Sequence, residues 1–455
     1  MAPHDLDLAD TELAYLAHPT TKPKSVQKGP LGFAHVGPRF IAVLSVGTIA
    51  LLFVWFAYAP ISNSIPPPSE PVTVSAFGVK ESSPLPDASL SLSLPGDGRG
   101  NWTWVEDIQS RLDYKDVYHT CPLLDHQDKC TADRYDRLLR WDWRGGQSGD
   151  LATLKDLSQS NAPNERPISP LDVLTQCLPN TTIGITGDSL SRQFFHAFVC
   201  TLHSYGAQII TTRIPNTTHL VRSRIHHQLL KSSNPATYTD VIWTSDTLNP
   251  YLLSYTSNRP TPAINFTSLH PDLRELLMLD PDHLIVNTGL WMDPSSLKLP
   301  HSDFLQSYER VVRSSASLIS QSLSTKSEGQ KKKVWYRTTP FRHFRGGEYD
   351  TGGKCSATSP RFDVNSITTY YGSYAETLQN LILKDVLGKW KEGKEGEEGG
   401  VEFELFDIAE TARAREDAHR SGRDCSHYCL PGVVDVWVDV WLRRVWDECQ
   451  QGRGR

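Results

Sequence analysis

Two short segments, far apart in the chain, carry residue types that could make a nucleophile and its base. In the first, an apolar run ends at Gly187-Asp188-Ser189 and a helical pattern begins at once. A serine at such a junction presents its hydroxyl at the carboxyl edge of a sheet, where a helix N-terminus stabilises developing negative charge. In the second, Asp424 precedes His427 by three residues. Because a carboxylate can orient an imidazole that takes the serine proton, the two segments together predict a Ser-His-Asp triad.

Each segment also permits a simpler role. Asp188 or Ser189 would serve as an ordinary helix cap, and Cys425, His427 and Cys429 are all potential zinc ligands. The chain has eight cysteines, an even number that permits four disulfides. Because no second pair of ligands at zinc spacing occurs elsewhere, disulfides are favoured over zinc and we expect no bound metal.

Strands alternating with helices must position these two segments. Apolar runs predict six strands, at residues 182–186, 207–211, 241–243, 283–287, 334–337 and 401–406. Longer periodic stretches predict helices at 190–205, 269–279, 302–323 and 367–387. This alternation predicts an α/β sandwich built on a mainly parallel sheet.

The composition of the chain narrows the class of protein. Of its 455 residues 38% are hydrophobic, which is enough to bury a core and excludes a wholly disordered protein. Lys plus Arg number 46 against 52 Asp plus Glu, and the resulting net charge of −6 disfavours general nucleic-acid binding. The composition does not define an oligomeric state.

An uncharged apolar run at residues 40–60 is long enough to cross a bilayer as one helix. Basic residues precede it, and the next one after it is Lys80, so the positive-inside rule places the N-terminus in the cytosol. We therefore expect a type II membrane protein with a cytosolic tail at 1–38, a signal anchor at 39–60, a disordered Pro- and Ser-rich stem at 61–100 and a lumenal catalytic domain at 101–455.

Two features beyond the predicted anchor agree with a lumenal body. All eight cysteines follow it, in a compartment that permits disulfides. Four Asn-x-Ser/Thr glycosylation acceptors also follow it, at Asn101, Asn180, Asn216 and Asn265.

Five blocks, in order, resemble the trichome-birefringence-like family of polysaccharide O-acetyltransferases, which belongs to the PC-esterase branch of the SGNH-fold enzymes. The blocks are the cysteine-rich segment at 121–130 with LRWDWR at 139–144, GDS at 187–189, NTGLW at 287–291, the stretch 336–355 and DCSHYCLPG at 424–432. Leu290 stands where the family has a histidine, so the chain resembles a divergent member. The resemblance implies an SGNH-like three-layer α/β/α sandwich.

The resemblance also implies a role for each matching residue. Ser189 is implied as the nucleophile, His427 as the general base and acid, and Asp424 as the residue that orients it. Gly187 and Asn287 are implied as oxyanion residues, since Asn287 ends a predicted strand at the same sheet edge. Arg337 and His343 are candidates for contact with donor or sugar, with an exposed surface position as an equal alternative for each. The aromatic candidates for stacking on sugar rings are Trp291, Trp335 and Tyr349, although such residues more commonly pack in a core.

The family pattern implies a disulfide connectivity in which two bridges hold the Asp424–His427 segment. The implied pairs are Cys425 with Cys355, Cys429 with Cys130, Cys121 with Cys200, and Cys177 with Cys449.

The implied activity is transfer of acetyl groups to hydroxyls of a polysaccharide or glycan, by double displacement on Ser189, at the Golgi membrane. It needs no bound cofactor, with an acetyl donor such as acetyl-CoA as co-substrate. The alternative is a carbohydrate O-acetylesterase, which uses the same triad with water as the acceptor.

Two other function classes share the predicted topology. A type II glycosyltransferase would need a metal-binding Asp-x-Asp, but Asp280-Pro-Asp282 precedes a predicted strand and so lies at the wrong sheet edge. A non-catalytic glycan-binding protein would not depend on Ser189 at all.

Overall fold

The computed structural model describes residues 100–145, 151–156, 167–215, 217, 220–226, 237–244, 253–254, 268–290, 292, 301–324, 332–347, 352–361, 373–392 and 400–453. The predicted tail and membrane anchor, and the stem up to residue 99, lie outside these residues. Within the described part of the chain, no helix is long and apolar enough to cross a membrane.

Eleven strands are described. They are β1 Gly100–Trp104, β2 Trp141–Gly145, β3 Thr181–Thr186, β4 Gln208–Arg213, β5 Leu220–His226, β6 Tyr238–Thr244, β7 Leu253–Ser254, β8 Ser268–Leu269, β9 His283–Val286, β10 Lys332–Arg337 and β11 Val401–Phe406.

Nine α-helices are described in the same residues. They are α1 Gln109–Tyr118, α2 Ala132–Leu138, α3 Pro170–Cys177, α4 Ser189–Ser204, α5 Pro271–Met278, α6 His301–Ser324, α7 Ser373–Glu392, α8 Ala409–Arg413 and α9 Val433–Arg453.

Seven of the strands form one mixed sheet in the order β11-β10-β9-β3-β6-β5-β4. The five from β11 to β6 are parallel, while β5 and β4 each run antiparallel to the neighbouring strand. The carboxyl ends of β3, β9 and β10 therefore meet at one edge of the sheet, where ligands of open α/β sheets bind. The prediction of a mainly parallel sheet is confirmed.

Each face of the sheet is covered by helices, which gives three layers. On one face Ile183 and Ile185 of β3 pack in a core with side chains of α4 and α9. On the other face Leu284 and Val286 of β9 pack with side chains of α5, α6 and α7. The parallel strands are buried on both faces, as expected when helices cover a sheet from both sides.

The predicted elements cover only part of the observed fold, and none of those before β3 was predicted. All six predicted strands overlap observed ones, but β5 and the long helix α9 were not predicted. In β5, Leu220–His226, the arginines and the histidine hide the apolar pattern because the strand is only partly buried. In α9, the run Val433-Val-Asp-Val-Trp-Val-Asp-Val alternates like a strand, yet it forms the start of a helix with eight buried apolar side chains.

Candidate active site

The serine predicted as the nucleophile lies where β3 passes into α4. Gly187 has a φ of +137°, and a Cβ built there would lie 2.4 Å from the carbonyl oxygen of Asn287, so only glycine fits this turn. Asp188 caps the helix by accepting hydrogen bonds from the N–H groups of Leu190 at 3.0 Å and Ser191 at 3.3 Å. Ser189 is the first helical residue, so its hydroxyl lies at the positive end of the helix dipole.

Asp188 joins three chain segments beneath the nucleophile. Besides capping α4, its carboxylate accepts the N–H of Leu290, after β9, at 3.3 Å. The guanidinium of Arg337, at the end of β10, donates to Asp188 at 3.4 Å and to the Ser191 hydroxyl at 3.1 Å. Both charged side chains are completely buried. The cap and the nucleophile roles are therefore compatible: Asp188 caps the helix that presents Ser189.

The predicted base and acid complete a chain of hydrogen bonds to this serine. Nε2 of His427 lies 2.6 Å from Oγ of Ser189, and Nδ1 lies 2.9 Å from Oδ1 of Asp424. Oδ1 also accepts the backbone N–H of His427 at 3.2 Å, and Arg420 donates to the other carboxylate oxygen. The three side chains come within hydrogen-bonding distance although 238 residues separate Ser189 from His427.

The Asp424 carboxylate is held in its charged form. Burial alone would raise its pKa, but the hydrogen bond and charge of His427, together with Arg420, lower the pKa well below its usual range. A charged carboxylate can only accept a hydrogen bond, so Nδ1 of His427 carries the hydrogen and Nε2, which faces the serine, does not. This is the tautomer that a general base needs.

Four disulfides have the connectivity that the family pattern implies. Their pairs are Cys121–Cys200, Cys130–Cys429, Cys177–Cys449 and Cys355–Cys425. Cys425 and Cys429, on either side of His427, are thus bonded to other cysteines and are not thiolate ligands. No metal-binding group of His, Cys, Asp or Glu occurs among the described residues. The zinc alternative is wrong for Cys425 and Cys429.

Arg337 and His343 have surroundings different from those that the resemblance implies. Arg337 is buried beneath the nucleophile turn, where burial lowers its pKa against the opposing effect of Asp188. His343 is also buried, with Nε2 2.9 Å from the carbonyl oxygen of Arg413 and Nδ1 2.6 Å from Nε2 of His419. Both side chains are buried in this structure, so the prediction that they contact donor or sugar directly is corrected. They contact protein groups around the site instead.

The other predicted site residues have mixed surroundings. The side-chain amide of Asn287 donates to the carbonyl oxygen of Arg337 at 2.9 Å, at the same sheet edge as Ser189. Trp335 is buried between strands and helices and packs against Trp441, so it is a core residue. Trp291 and Tyr349 lie outside the described residues.

Two of the four candidate glycosylation sites are described. Asn101 and Asn180 are exposed, whereas Asn216 and Asn265 lie outside the described residues.

The Asp280-Pro-Asp282 pair has a structural role at the other end of the sheet. Lys332 lies 3.2 Å from the Asp280 carboxylate and 2.9 Å from that of Asp282. Both acids precede β9, so they lie at the edge opposite Ser189. This placement leaves no metal site for a glycosyltransferase there.

Several residues near the triad were missed by the sequence analysis. Asp128 is fully buried and contacts both Arg420 and α4. His419 donates from Nδ1 to the backbone oxygen of His427 at 3.0 Å. Only the position of Asp128 between two cysteines, and of His419 and Arg420 just before the Asp-x-x-His segment, could have drawn attention to them.

A serine at a strand–helix junction, an imidazole and a carboxylate at the carboxyl edge of a mainly parallel sheet form the arrangement found in serine-dependent acyl hydrolases and transferases. The model of the PC-Esterase family, described as a GDSL/SGNH-like acyl-esterase family found in Pmr5 and Cas1p, matches residues 168–444. The chain belongs to this family.

Curated relatives agree with this assignment at modest identity. Protein trichome birefringence-like 14 of Arabidopsis thaliana is 23% identical over 314 residues, which cover 59% of this chain and 70% of the relative. Protein trichome birefringence-like 12 of the same plant is 26% identical, covering 57% and 67%. Xyloglucan O-acetyltransferase 4 of Populus trichocarpa is 32% identical over 116 residues, 23% of this chain and 26% of the relative. No solved structure matches the chain significantly.

Proposed function

We propose that the protein transfers acetyl groups to hydroxyls of a polysaccharide or glycan through an acyl-enzyme on Ser189. The observation that carries the proposal is the unbroken chain Ser189–His427–Asp424, with 2.6 and 2.9 Å between its polar atoms. The xyloglucan O-acetyltransferase among the relatives supports a sugar acceptor.

In the first half-reaction, Oγ of Ser189 attacks the carbonyl carbon of the acetyl donor while its proton passes to Nε2 of His427. The bond from that carbon to the leaving group breaks as the tetrahedral intermediate collapses. His427 returns the proton to the leaving group, and an acetyl ester remains on Ser189. Asp424 stabilises the imidazolium during this step.

In the second half-reaction, His427 takes the proton of an acceptor hydroxyl, whose oxygen attacks the acetyl carbon of the acyl-enzyme. The ester bond to Ser189 breaks, and the proton returns to its Oγ. The products are the acetylated sugar and the free enzyme. If water replaces the sugar, the same steps release acetate, which is the esterase alternative.

The negative oxygen of each intermediate would be stabilised at the start of α4. Backbone N–H groups at the N-terminus of a helix and a side-chain amide are common oxyanion donors. We assign this role to the turn Gly187–Ser189 and to Asn287. The Asn287 amide has two hydrogens, and the bond to the Arg337 carbonyl uses one of them.

The cellular setting is part of the proposal. An N-terminal anchor at 39–60, with the domain in the Golgi lumen, would keep the enzyme where polysaccharides are made. An acetyl donor such as acetyl-CoA acts as a co-substrate in this proposal.

The decisive experiment is to trap the acyl-enzyme. The purified protein is exposed to candidate acetyl donors, and the peptide containing Ser189 is examined by mass spectrometry for added acetyl. We expect the label in the wild type and none in Ser189→Ala, with both proteins equally folded. Acetyl on other residues only, or unchanged function of Ser189→Ala, would contradict the proposal and favour a glycan-binding role.

A second pair of incubations separates transferase from esterase. The enzyme is mixed with donor plus unacetylated glycan, and separately with acetylated glycan in water. Net gain of acetyl on the glycan is expected for a transferase, whereas net release of acetate from the acetylated glycan would favour the esterase.

A further inference from the structure

Arg420 connects the acid of the triad to a second buried carboxylate. Its Nε donates to Asp424, and its Nη1 lies 3.4 Å from Oδ1 of Asp128. Asp128 is fully buried, whereas Arg420 and Asp424 retain only 18% and 19% of their side-chain exposure. Carboxylate, guanidinium and carboxylate thus alternate along a line that ends at His427.

The Asp128 carboxylate also holds the helix that carries the nucleophile. Its Oδ1 accepts Nε2 of Gln193 at 2.7 Å, and its Oδ2 lies 3.2 Å from Nδ1 of His196. Gln193 is one helical turn after Ser189, on the same side of α4. The same Gln193 amide donates to the carbonyl oxygen of Tyr428 at 2.8 Å and accepts its N–H at 3.1 Å.

Asp128 therefore contacts both of the elements that carry the triad. Through Gln193 and His196 it is bonded to the nucleophile helix, and through Arg420 it is bonded to the segment that carries His427. Its backbone oxygen accepts the N–H of Leu430 at 2.9 Å. The Asp128 side chain thus bridges helix α4 and the segment that carries His427, which are far apart in sequence.

The charge state of Asp128 suits this role. Burial alone would raise its pKa, but the hydrogen bond and charge of His196, with the charge of Arg192, outweigh it and lower the pKa. A buried carboxylate attracts a guanidinium strongly because little water screens the pair.

Asp128 lies outside the part of the chain that the PC-Esterase family model matches, which begins at residue 168. Asp128 belongs to a short segment that precedes the matched part. The Cys130–Cys429 disulfide bonds this segment to the acid–base segment, two residues after His427. The segment before the family domain thus contributes directly to the support of the site.

We propose that Asp128 is a positioning residue, which acts through Arg420 on Asp424 and through Gln193 on Ser189, and so keeps the serine and the imidazole in proton-transfer distance. The proposal rests on the proposed role of Ser189 as a nucleophile. It does not depend on which acetyl donor or acceptor the enzyme uses.

The test measures the rate at which a fluorophosphonate probe labels Ser189, because this reaction needs an activated serine but no acetyl donor or sugar. Asp128→Asn keeps the size of the side chain and an acceptor for Gln193, but removes the charge that holds Arg420. We expect labelling to slow about 10-fold, less than the roughly 100-fold loss expected for a 1 Å displacement of reacting groups. Asp133→Asn, at a side chain 74% exposed in the same segment, is the matched control and should label at the wild-type rate.

A double-substitution cycle separates positioning from general stability. If Asp128 acts through Asp424, then Asp128→Asn should slow labelling less than 3-fold in an Asp424→Asn background, roughly the error of additive behaviour. Arg420→Gln should reproduce the effect of Asp128→Asn, and it serves as the second variant if Asp128→Asn does not fold. Arg420 is partly exposed, so its loss is tolerated better.

Two results would overturn the proposal. The first is wild-type labelling of Asp128→Asn, or of Arg420→Gln if Asp128→Asn does not fold. The second is a full 10-fold loss from Asp128→Asn in the Asp424→Asn background as well. A wild-type protein that the probe does not label would instead refute the proposed nucleophile, and it would do so before any variant is compared.

Discussion

The two halves of the candidate site are held in different ways. The nucleophile turn, residues 186–191, lies between a central strand and a helix, and its support is a cap, a buried ion pair and the neighbouring strand ends. The acid–base loop, residues 419–430, has no strand or α-helix, and its support is two disulfides, the Asp128–Arg420 contact and the His343–His419 pair.

This difference predicts how substitutions in each half affect stability and the reactivity of Ser189. The nucleophile turn is part of the sheet core, so a change that disturbs it should also lower the free energy of unfolding. The acid–base loop is held by cross-links that can be removed one at a time, so the reactivity of Ser189 should depend on which cross-link is removed and not on the loss of stability alone.

The largest expected effect comes from removing one of the two disulfides of the acid–base loop. Cys130→Ala with Cys429→Ala should lower the free energy of unfolding by about 4 kcal/mol, as is usual for loss of a native disulfide, because the bridge joins cysteines 299 residues apart and restricts the denatured chain. Labelling of Ser189 by a fluorophosphonate should slow as well. Chemical denaturation and labelling kinetics measure the two effects.

The Cys177–Cys449 bridge is the matched control for that experiment. It closes a loop of similar length, 272 residues, but Cys177 ends α3 just before β3 begins, at the sheet edge away from Ser189. Its removal should cost similar stability and leave the labelling rate of the folded protein unchanged. If removal of either disulfide slowed the labelling of Ser189 equally, the proposed difference between the two halves of the site would be contradicted.

Gly187→Ala should lower the free energy of unfolding by about 3 kcal/mol, since the new Cβ meets the Asn287 carbonyl at 2.4 Å and the backbone keeps a positive φ. Labelling of Ser189 should be lost with it. The control is Gly206→Ala, where φ is +84° but no atom lies within 4 Å of the new Cβ, so only the smaller backbone cost remains. Thermal unfolding of both variants decides whether the nucleophile turn and the core are one unit.

The His343–His419 pair should make stability fall between pH 7 and pH 5. Burial lowers the pKa of His343 from its usual value near 6.5 to about 4, so the unfolded chain binds protons in this range and the folded protein does not. The wild type should therefore lose about 2 kcal/mol from this residue alone between pH 7 and pH 5. Denaturant titrations of His343→Gln should show a flatter pH dependence than the wild type.

The exposed His126 provides the control for this prediction. His126→Gln removes a histidine from the surface and so controls for the substitution itself. A wild-type slope in His343→Gln would mean that the buried pair takes up protons in the folded state.

The smallest effect belongs to Asp424 and appears at lower pH. Its pKa in the folded protein is below the usual value, so its contribution is present above about pH 4 and is lost as the pH falls further. From pH 5 to pH 3 this loss amounts to about 1 kcal/mol for a carboxyl with an unfolded pKa near 3.9. Asp424→Asn should remove that part of the acid-induced loss, measured by denaturation at pH 5 and pH 3, and an unchanged loss would contradict the assignment.

Local signals in the sequence predicted much of the central fold. The predicted strand at 401–406 has the observed bounds, and the strand at 182–186 differs by one residue. These strands are short, apolar and flanked by turn residues, so their pattern depends little on the rest of the chain. Strand β5, which lies between β6 and β4, and helix α9 were missed because their residues form a buried face only when they pack against the rest of the fold.

In the candidate site too, residues in local motifs were predicted and a residue defined by a long-range contact was not. Ser189, Asp424 and His427 occur in two short motifs, each of which is recognisable within about ten residues. Asp128 was not predicted, because its contact with Arg420 spans 292 residues and is not encoded in any local spacing.

The sequence alone determined the strand–Gly–Asp–Ser–helix junction, the acid three residues before the imidazole and, through the family pattern, the pairing of eight cysteines. These features depend on chain connectivity and on a conformation that a few neighbouring residues dictate. Tertiary structure alone decided that Arg337 and His343 are buried supports and that Asp128 faces Arg420. Those properties depend on which surfaces meet when the sheet, its two helical layers and the N-terminal segment exclude water together, and no single stretch of the chain specifies that.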